Sequence, residues 1–498
     1  MRRLDLDAVL GRVAPDRLSV LALGYLLLPL LVFLGGFLRW PLGVGMVALA
    51  LLGAAASTGW RAAWPLGTRA TLACLLGGLF WAFGATGTHH LLYAAVDWQI
   101  RDSVLEDLAR GGWPVSYVIG DLAWLLRAPL GYYLVPALAG PLLARAALFA
   151  WTAAGLAVVL LLLAATARDA GLTRRGAVWL TAIFVSFGGL DLLPNLWLDA
   201  HGAGIASYLG RGGEWWARDF QYSGHATLLL WVPNHALPGW IPALLAARHG
   251  RTPGYARRAG LVLVAAASWG PLSAVGAAVV AAAAILGRGG AGPPAALGGL
   301  PNWCAAILAV PLAMFLTAGS AAIPHGWLVA REGWGAIGTV ALFLLVELAV
   351  AIPLLRLIRW WLLVPSLVLL AILPLYEFGP GNEMTMRGGI APLTLLALAA
   401  GIAWASVPRG GWRWLLGGIL LVGALGQAME ASILINRPWP ATQGCTLPEA
   451  AAQSVFTDTD WSHYVVPWPD ARLVPILAEP AAREVGPETV SRCWPDQR

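Results

Sequence analysis

Residues 97–115 read DWQIRDSVLEDLARGGWPV and follow directly on a long apolar run. Ile100, Val104, Leu105 and Leu108 recur at helical spacing, while Asp102, Glu106, Asp107 and Arg110 fall on the other side. That pattern predicts an amphipathic helix over 98–110, ended by Gly111-Gly112 and lying in the interface plane of a membrane, with Trp113 and Trp124 at headgroup depth. Asp97 stands just before this helix, where the preceding span emerges. An acid there reads as an N-cap, which stabilises a helix by ~1 kcal/mol, or as an ionised group kept for chemistry.

The rest of the chain fits a loop of this kind. Of 498 residues, 59% are hydrophobic and only 12% charged, against about a quarter charged in soluble chains. Apolar runs long enough to cross ~30 Å of hydrocarbon recur from residue 18 to residue 435. The expected fold is an all-α polytopic membrane protein with about 11–13 transmembrane helices. The basic side chains are all arginine, and they sit mainly in short loops between apolar runs. That placement follows the positive-inside rule, so the net charge of +6 does not imply nucleic acid as a partner.

Hydropathy and arginine placement together give spans near 18–38, 41–57, 69–92, 136–166, 176–198 and 223–247. A pair broken at SWGPLS (268–273) follows within 259–286 and is expected to return to its starting side. Further spans fall near 302–322, 335–358, 360–377, 388–407 and 413–435. The leader 1–17 is polar, and the first span reads as uncleaved. On this reading residues 1–17 are cytoplasmic and 18–435 form the transmembrane domain, with 93–135 as its first outer loop. Residues 436–498 form a small periplasmic tail, which places the protein as a multi-pass component of a bacterial inner membrane. Cys445 and Cys493, the two cysteines of the tail, form a disulfide only in an oxidising compartment. Asp460, Trp461 and His463 in the tail read more simply as decoration than as part of a site.

Three polar clusters fall on the expected outer face. The first is 97–110, with Asp97, Arg101 and Asp102. The second runs from GLDLLPN through EWWARDFQYSGHATLLLWVPNHALPGW and carries Asp191, Glu214, Trp215, Arg218, Asp219, Tyr222, His225 and His235. Its tryptophans read as belt residues or as platforms for a sugar ring. Its histidines lack the pairing that metal ligation needs, as does the adjacent pair His89-His90. The third is YEFGPGNEMTMRGG (376–389), with Asn382, Glu383 and Arg387. Arg387 either snorkels to headgroups or grips a lipid phosphate bidentately, with Glu377 or Glu383 orienting it. Glu347 stands mid-span without a partner legible in the sequence. No Walker loop, GxSxG, HExxH or CxxC motif is present.

The run DWQIRDSVLEDLARGGWPVSY, GYYLVPALAGPLL, GGLDLLPN, EWWARDFQYSGHATLLLWVPNHALPGW and NEMTMRGGIAPL, spread over residues 89–400, resembles a set of bacterial membrane proteins placed near the GT-C superfamily of polytopic glycosyltransferases. Where that set carries a basic residue and a histidine shortly after the acid, this chain has Ile100-Arg101. The resemblance implies that Asp97 is the catalytic base and that the donor is a sugar on a polyprenyl phosphate. The acceptor would be a glycan, lipid or protein. Arg387, or a divalent cation (Mg or Mn) held by Asp97 and Glu214, would neutralise the leaving phosphate. Arg101, Asp102, Glu214, Trp215, Tyr222, His235, Asn382 and Glu383 are the supporting candidates. The competing readings are a transporter or flippase for lipid-linked glycans, which needs charges deep in several spans, and a non-catalytic membrane scaffold.

Overall fold

A computed structural model of the protein describes residues 3–92, 94–203, 213–217, 220–287, 289–379, 381–435, 440–442, 444–455, 461–485 and 492–494. Arg218, Asp219 and Asp460 lie outside the described residues. The chain is mostly helical. Five described helices are long and apolar enough to cross a membrane: Arg17–Phe37, Thr68–Ala85, Ala144–Asp169, Leu300–Thr317 and Gly411–Ser432. The pair Ala336–Glu347 and Ala351–Leu357, bent by 55°, makes a sixth if it counts as one span. Against the expected 11–13 transmembrane helices, these stand beside four shorter apolar helices among the described residues: Trp40–Ala55, Pro271–Leu286, Leu363–Leu375 and Ile390–Ser406.

The difference has a local cause. Several of the apolar runs contain breaks. The run 223–247 divides at Pro233 into His225–Trp231 and Pro233–His249, since proline removes a ladder donor and crowds the preceding turn. The run 176–198 becomes Arg174–Val185 and Leu192–Leu198, parted at Gly188-Gly189. Trp40–Ala55 is continuous but has only 16 residues, about 24 Å of helix.

One end of the molecule gathers the arginine-marked loops. Arg248 is fully buried between Asp16 and Asp169, 2.6 Å from each. Arg258 donates to the Thr58 carbonyl at 2.9 Å, and Arg251 reaches Asp7 at 3.4 Å. Leu4 and Asp5 pair in parallel with Ile358 and Arg359. The helices Ala259–Ala267 and Pro271–Leu286 both have their outer termini here. Arg258 precedes the first, and Gly287 ends the second beside Trp361, whose N–H donates to Asp7 at 2.8 Å. The break between them points inward: Trp269 donates to the Leu26 carbonyl, halfway along the first long helix, at 3.0 Å. The pair thus returns to the end from which it started.

The opposite end is built from residues 97–135, 318–335, 376–389 and the tail. No strand is expected there from the sequence. The structure has a four-stranded sheet in the order Val465–Trp468, Leu122–Leu126, Val115–Ile119, Ala481–Glu484. Tyr117 faces Trp124 on one side and Arg483 on the other, and Leu125 faces Val466. The outer strands come from the tail, so the tail is joined to the first loop by main-chain ladders. Cys445 and Cys493 form a buried disulfide within it.

The helix Trp98–Ala109 forms as its spacing predicts, but it does not lie open in an interface. All of its residues except Glu106 are buried. Its polar face, which reads as solvent-facing, instead accepts backbone N–H groups of the tail: Thr442 on Asp102 at 3.2 Å, Gly444 on Glu106 at 3.3 Å and Leu447 on Asp107 at 2.8 Å. Buried main-chain donors need acceptors, and this row of acids supplies them.

Candidate functional site

Elements from seven parts of the chain end around one pocket of about 500 Å³, within the range that small-molecule sites occupy. Each contributes a break instead of a continuous helix. The start of the helix Trp98–Ala109 brings Asp97, Ile100, Arg101 and Val104; the segment before Gly131–Ala137 brings Arg127. Asn234 and His235 enter behind Pro233, and Pro271 enters behind Gly270. Glu383 and Arg387 come from the short helix Glu383–Gly388, and Trp461, His463 and Tyr464 come from the tail. Backbone breaks let polar groups gather where uninterrupted helices would present only one face.

Asp97 is not a helix cap. Its backbone is helical, and its side chain makes no capping bond. The Arg101 guanidinium, one turn on, takes the carboxylate instead, with Nη2 on Oδ2 at 3.0 Å. Arg101 is 6% exposed and Asp97 29%, so the carboxylate keeps an open side toward the pocket while its partner is fixed behind it. Arg101 Nη1 donates to Asn234 Oδ1 at 2.9 Å, and Asn234 Nδ2 meets His235 Nε2 at 3.2 Å. Gly270 leaves room for that imidazole, since a Cβ there would lie 2.9 Å from His235 Nδ1.

Arg387 lies on the same pocket. Glu383 holds its Nη1 at 2.8 Å, whereas Glu377 pairs with Arg331 at 3.1 Å. Of the two acids read as orienting Arg387, only Glu383 does so. Arg387 Nε is buried without a partner among the described residues. Its helix is held against Pro271–Leu286 by a glycine contact, because a Cβ on Gly276 would overlap the Gly388 carbonyl. The pocket is therefore lined by the guanidinium groups of Arg101, Arg127 and Arg387 and by the carboxylates of Asp97 and Glu383, a balance that favours an anion.

The other candidates sit elsewhere. Asp102 is bound to His90 at 3.0 Å and to the tail, away from the cavity. The Tyr222 hydroxyl donates to the Leu370 carbonyl and its ring packs on Phe343 at 4.9 Å. Trp215 is partly exposed beside Gly381, outside the pocket lining. Asn382 adopts a left-handed conformation with φ 49°, buried and not lining the pocket.

Glu214 departs furthest from its expected role. Its Oε1 accepts Gly224 N–H at 2.8 Å and Gln427 Nε2 at 2.9 Å, and its Oε2 accepts Gln221 Nε2 at 2.7 Å. Burial, then the nearby Asp191 and Glu430, push its carboxyl up to about 8, with the side-chain donors opposing. This second, buried network also supplies the partner that the sequence did not give Glu347. Trp216 Nε1 donates to Asp191 Oδ1 at 3.0 Å and lies 3.1 Å from Glu347 Oε1. Asp97 and Glu214 thus belong to separate networks, and these residues do not fit a shared divalent cation. Among the described residues no cluster of three or more His, Cys, Asp or Glu is arranged to hold a metal.

Arg127, Tyr133 and Tyr464 line the pocket but were not singled out in the sequence. Arg127 is a lone arginine before an Ala-Pro pair, and only the strand pairing that carries its N–H to the Tyr464 carbonyl at 2.7 Å brings it in. Trp461 and His463, read as decoration, form pocket wall. Comparison with family models, curated proteins and solved structures finds no match to this chain.

Proposed function

We propose that the protein is an inverting glycosyltransferase of the GT-C kind that takes a sugar from a polyprenyl phosphate at the outer face of a bacterial inner membrane. The observation that carries this reading is the meeting of the half-open Asp97 carboxylate with Arg387 on one cavity, at the end opposite the arginine-marked loops. By the positive-inside rule that end faces outward, where lipid-linked sugars serve as donors and sugar nucleotides are absent.

In the proposed reaction an acceptor hydroxyl attacks the anomeric carbon from the face opposite the phosphate. The bond between the anomeric carbon and the bridging phosphate oxygen breaks, and its electron pair leaves on that oxygen with the phosphate. Asp97 takes the hydroxyl proton as general base. A phosphate leaving group requires charge neutralisation more than protonation, and Arg387, braced by Glu383, is placed to supply it with Arg101 and Arg127 nearby. Arg101 holds Asp97 in position through its second bond to Asn234. Since Asp97 and Glu214 do not share a site, the phosphate charge falls to the arginines in this scheme.

The test is Asp97→Asn in protein reconstituted with a panel of polyprenyl-phosphate hexoses and pentoses. Transfer should disappear while insertion and thermal stability are retained; unchanged transfer refutes the assignment. A second reading, transport of a lipid-linked glycan, draws on the buried acids Asp191, Glu214, Glu347 and Glu430. It expects Glu347→Gln, and not Asp97→Asn, to abolish function.

A further inference from the structure

A second cavity, of about 760 Å³, lies between the long helices Arg17–Phe37, Thr68–Ala85 and Ala144–Asp169 and shares no residue with the first. Its walls are apolar, with Leu21, Leu28, Leu75 and Leu161 among them. The Tyr25 hydroxyl and Trp60 indole that reach it are bonded internally, to the Trp151 carbonyl at 3.0 Å and the Ala54 carbonyl at 2.8 Å. Among the described residues the one charged group on it is Arg17, which is exposed at the arginine-marked end and there has no ion pair or hydrogen bond. Trp60 stands exposed at the same mouth.

We infer that this groove binds one anionic glycerophospholipid, with an acyl chain between the three helices and the phosphate on Arg17. The inference rests on these helices crossing a bilayer and is independent of the reaction proposed above. Along the first helix the lining runs from Arg17 to Leu28, about 16 Å at 1.5 Å per residue, which matches one leaflet of a ~30 Å hydrocarbon core. That depth suits an acyl chain and is too short for a polyprenyl tail, which is longer than a leaflet. Charge complementarity sets the headgroup: a guanidinium at the interface with no partner among the described residues, beside an indole at belt depth, attracts a phosphate that carries net negative charge.

Gly24 gives the groove its width. A Cβ built there meets nothing within 4 Å, and Gly24 is on the lining. Gly24→Phe would therefore leave its Cβ unobstructed and project its ring into the groove. Purified protein would be titrated with dioleoylphosphatidylglycerol, dioleoylphosphatidylcholine and polyprenyl phosphate, and bound lipid counted by native mass spectrometry. The expected result is one phosphatidylglycerol held about fivefold more tightly than phosphatidylcholine, as one interfacial arginine provides. Arg17→Gln should bring the two lipids to parity, and Gly24→Phe should remove that lipid at unchanged thermal stability. An unchanged preference in Arg17→Gln, an unchanged lipid count in Gly24→Phe, or displacement of phosphatidylglycerol by polyprenyl phosphate would each overturn it.

Discussion

Replacing Asp107 by Asn tests how the tail is fastened to the site. Asp107 is fully buried and accepts the Tyr117 hydroxyl at 2.7 Å and the Leu447 N–H at 2.8 Å, both on Oδ2. It therefore joins the helix Trp98–Ala109, the sheet and the tail helix Leu447–Gln453. Burial raises its carboxyl to about 6, against the opposing pull of Tyr117, Leu447, Arg483 and Arg110. A carboxyl raised in the fold contributes most below its unfolded value of 3.8, and that contribution is lost as pH rises through about 6. The loss amounts to about 3 kcal/mol once the pH exceeds both values. Asparagine keeps an acceptor for Tyr117 and Leu447 and removes the titration. Limited proteolysis of the tail in reconstituted vesicles, over pH 4 to 7.5, should show wild-type protection falling with pH and the variant nearly flat. Equal pH slopes in the two proteins would refute the argument.

Arg101→Met leaves Asn234 Oδ1 without its donor, at a cost of about 1–3 kcal/mol. The partly exposed pair with Asp97 adds little to that, and thermal unfolding in detergent measures the sum; transfer should also be lost. Glu214→Gln removes a carboxyl that titrates at about 8 in the fold and 4.5 outside it. Wild-type thermal stability should fall as pH rises from 5 through 8, and the variant's slope should be shallower. Gly276→Ala should cost about 1–3 kcal/mol by driving a methyl into the Gly388 carbonyl. Because Arg387 immediately precedes Gly388, transfer should drop by up to ~100-fold in an assay of initial rates.

The parts of this structure legible in the sequence were those set by neighbours along the chain. The helix after Asp97, the break at Gly270-Pro271 and the apolar stretches all follow from local spacing or from proline chemistry. The disulfide rested on redox compartment and on the tail holding two cysteines. What escaped is long-range. The sheet joins strands more than 330 residues apart, and its tail strands are too short to carry an alternating pattern. The acids of 102–107 look solvent-facing until a distant backbone supplies their donors. Glu347 looked alone because its neighbours, Asp191 and Trp216, come from two other segments. Continuous apolar composition also concealed the kinks that shorten many spans, since Val232-Pro233 and Gly188-Gly189 barely alter hydropathy.

The central claim is that one cavity at the end away from the arginine-marked loops holds a lipid phosphate against Asp97 and Arg387. A cryo-electron microscopy map of the protein in nanodiscs supplied with polyprenyl phosphate tests it most directly. The account predicts phosphate density in hydrogen-bond contact with Arg387, and within reach of Arg101 or Arg127, beside the open edge of Asp97. Phosphate density at the opposite end, or an empty cavity under saturating lipid, would contradict it.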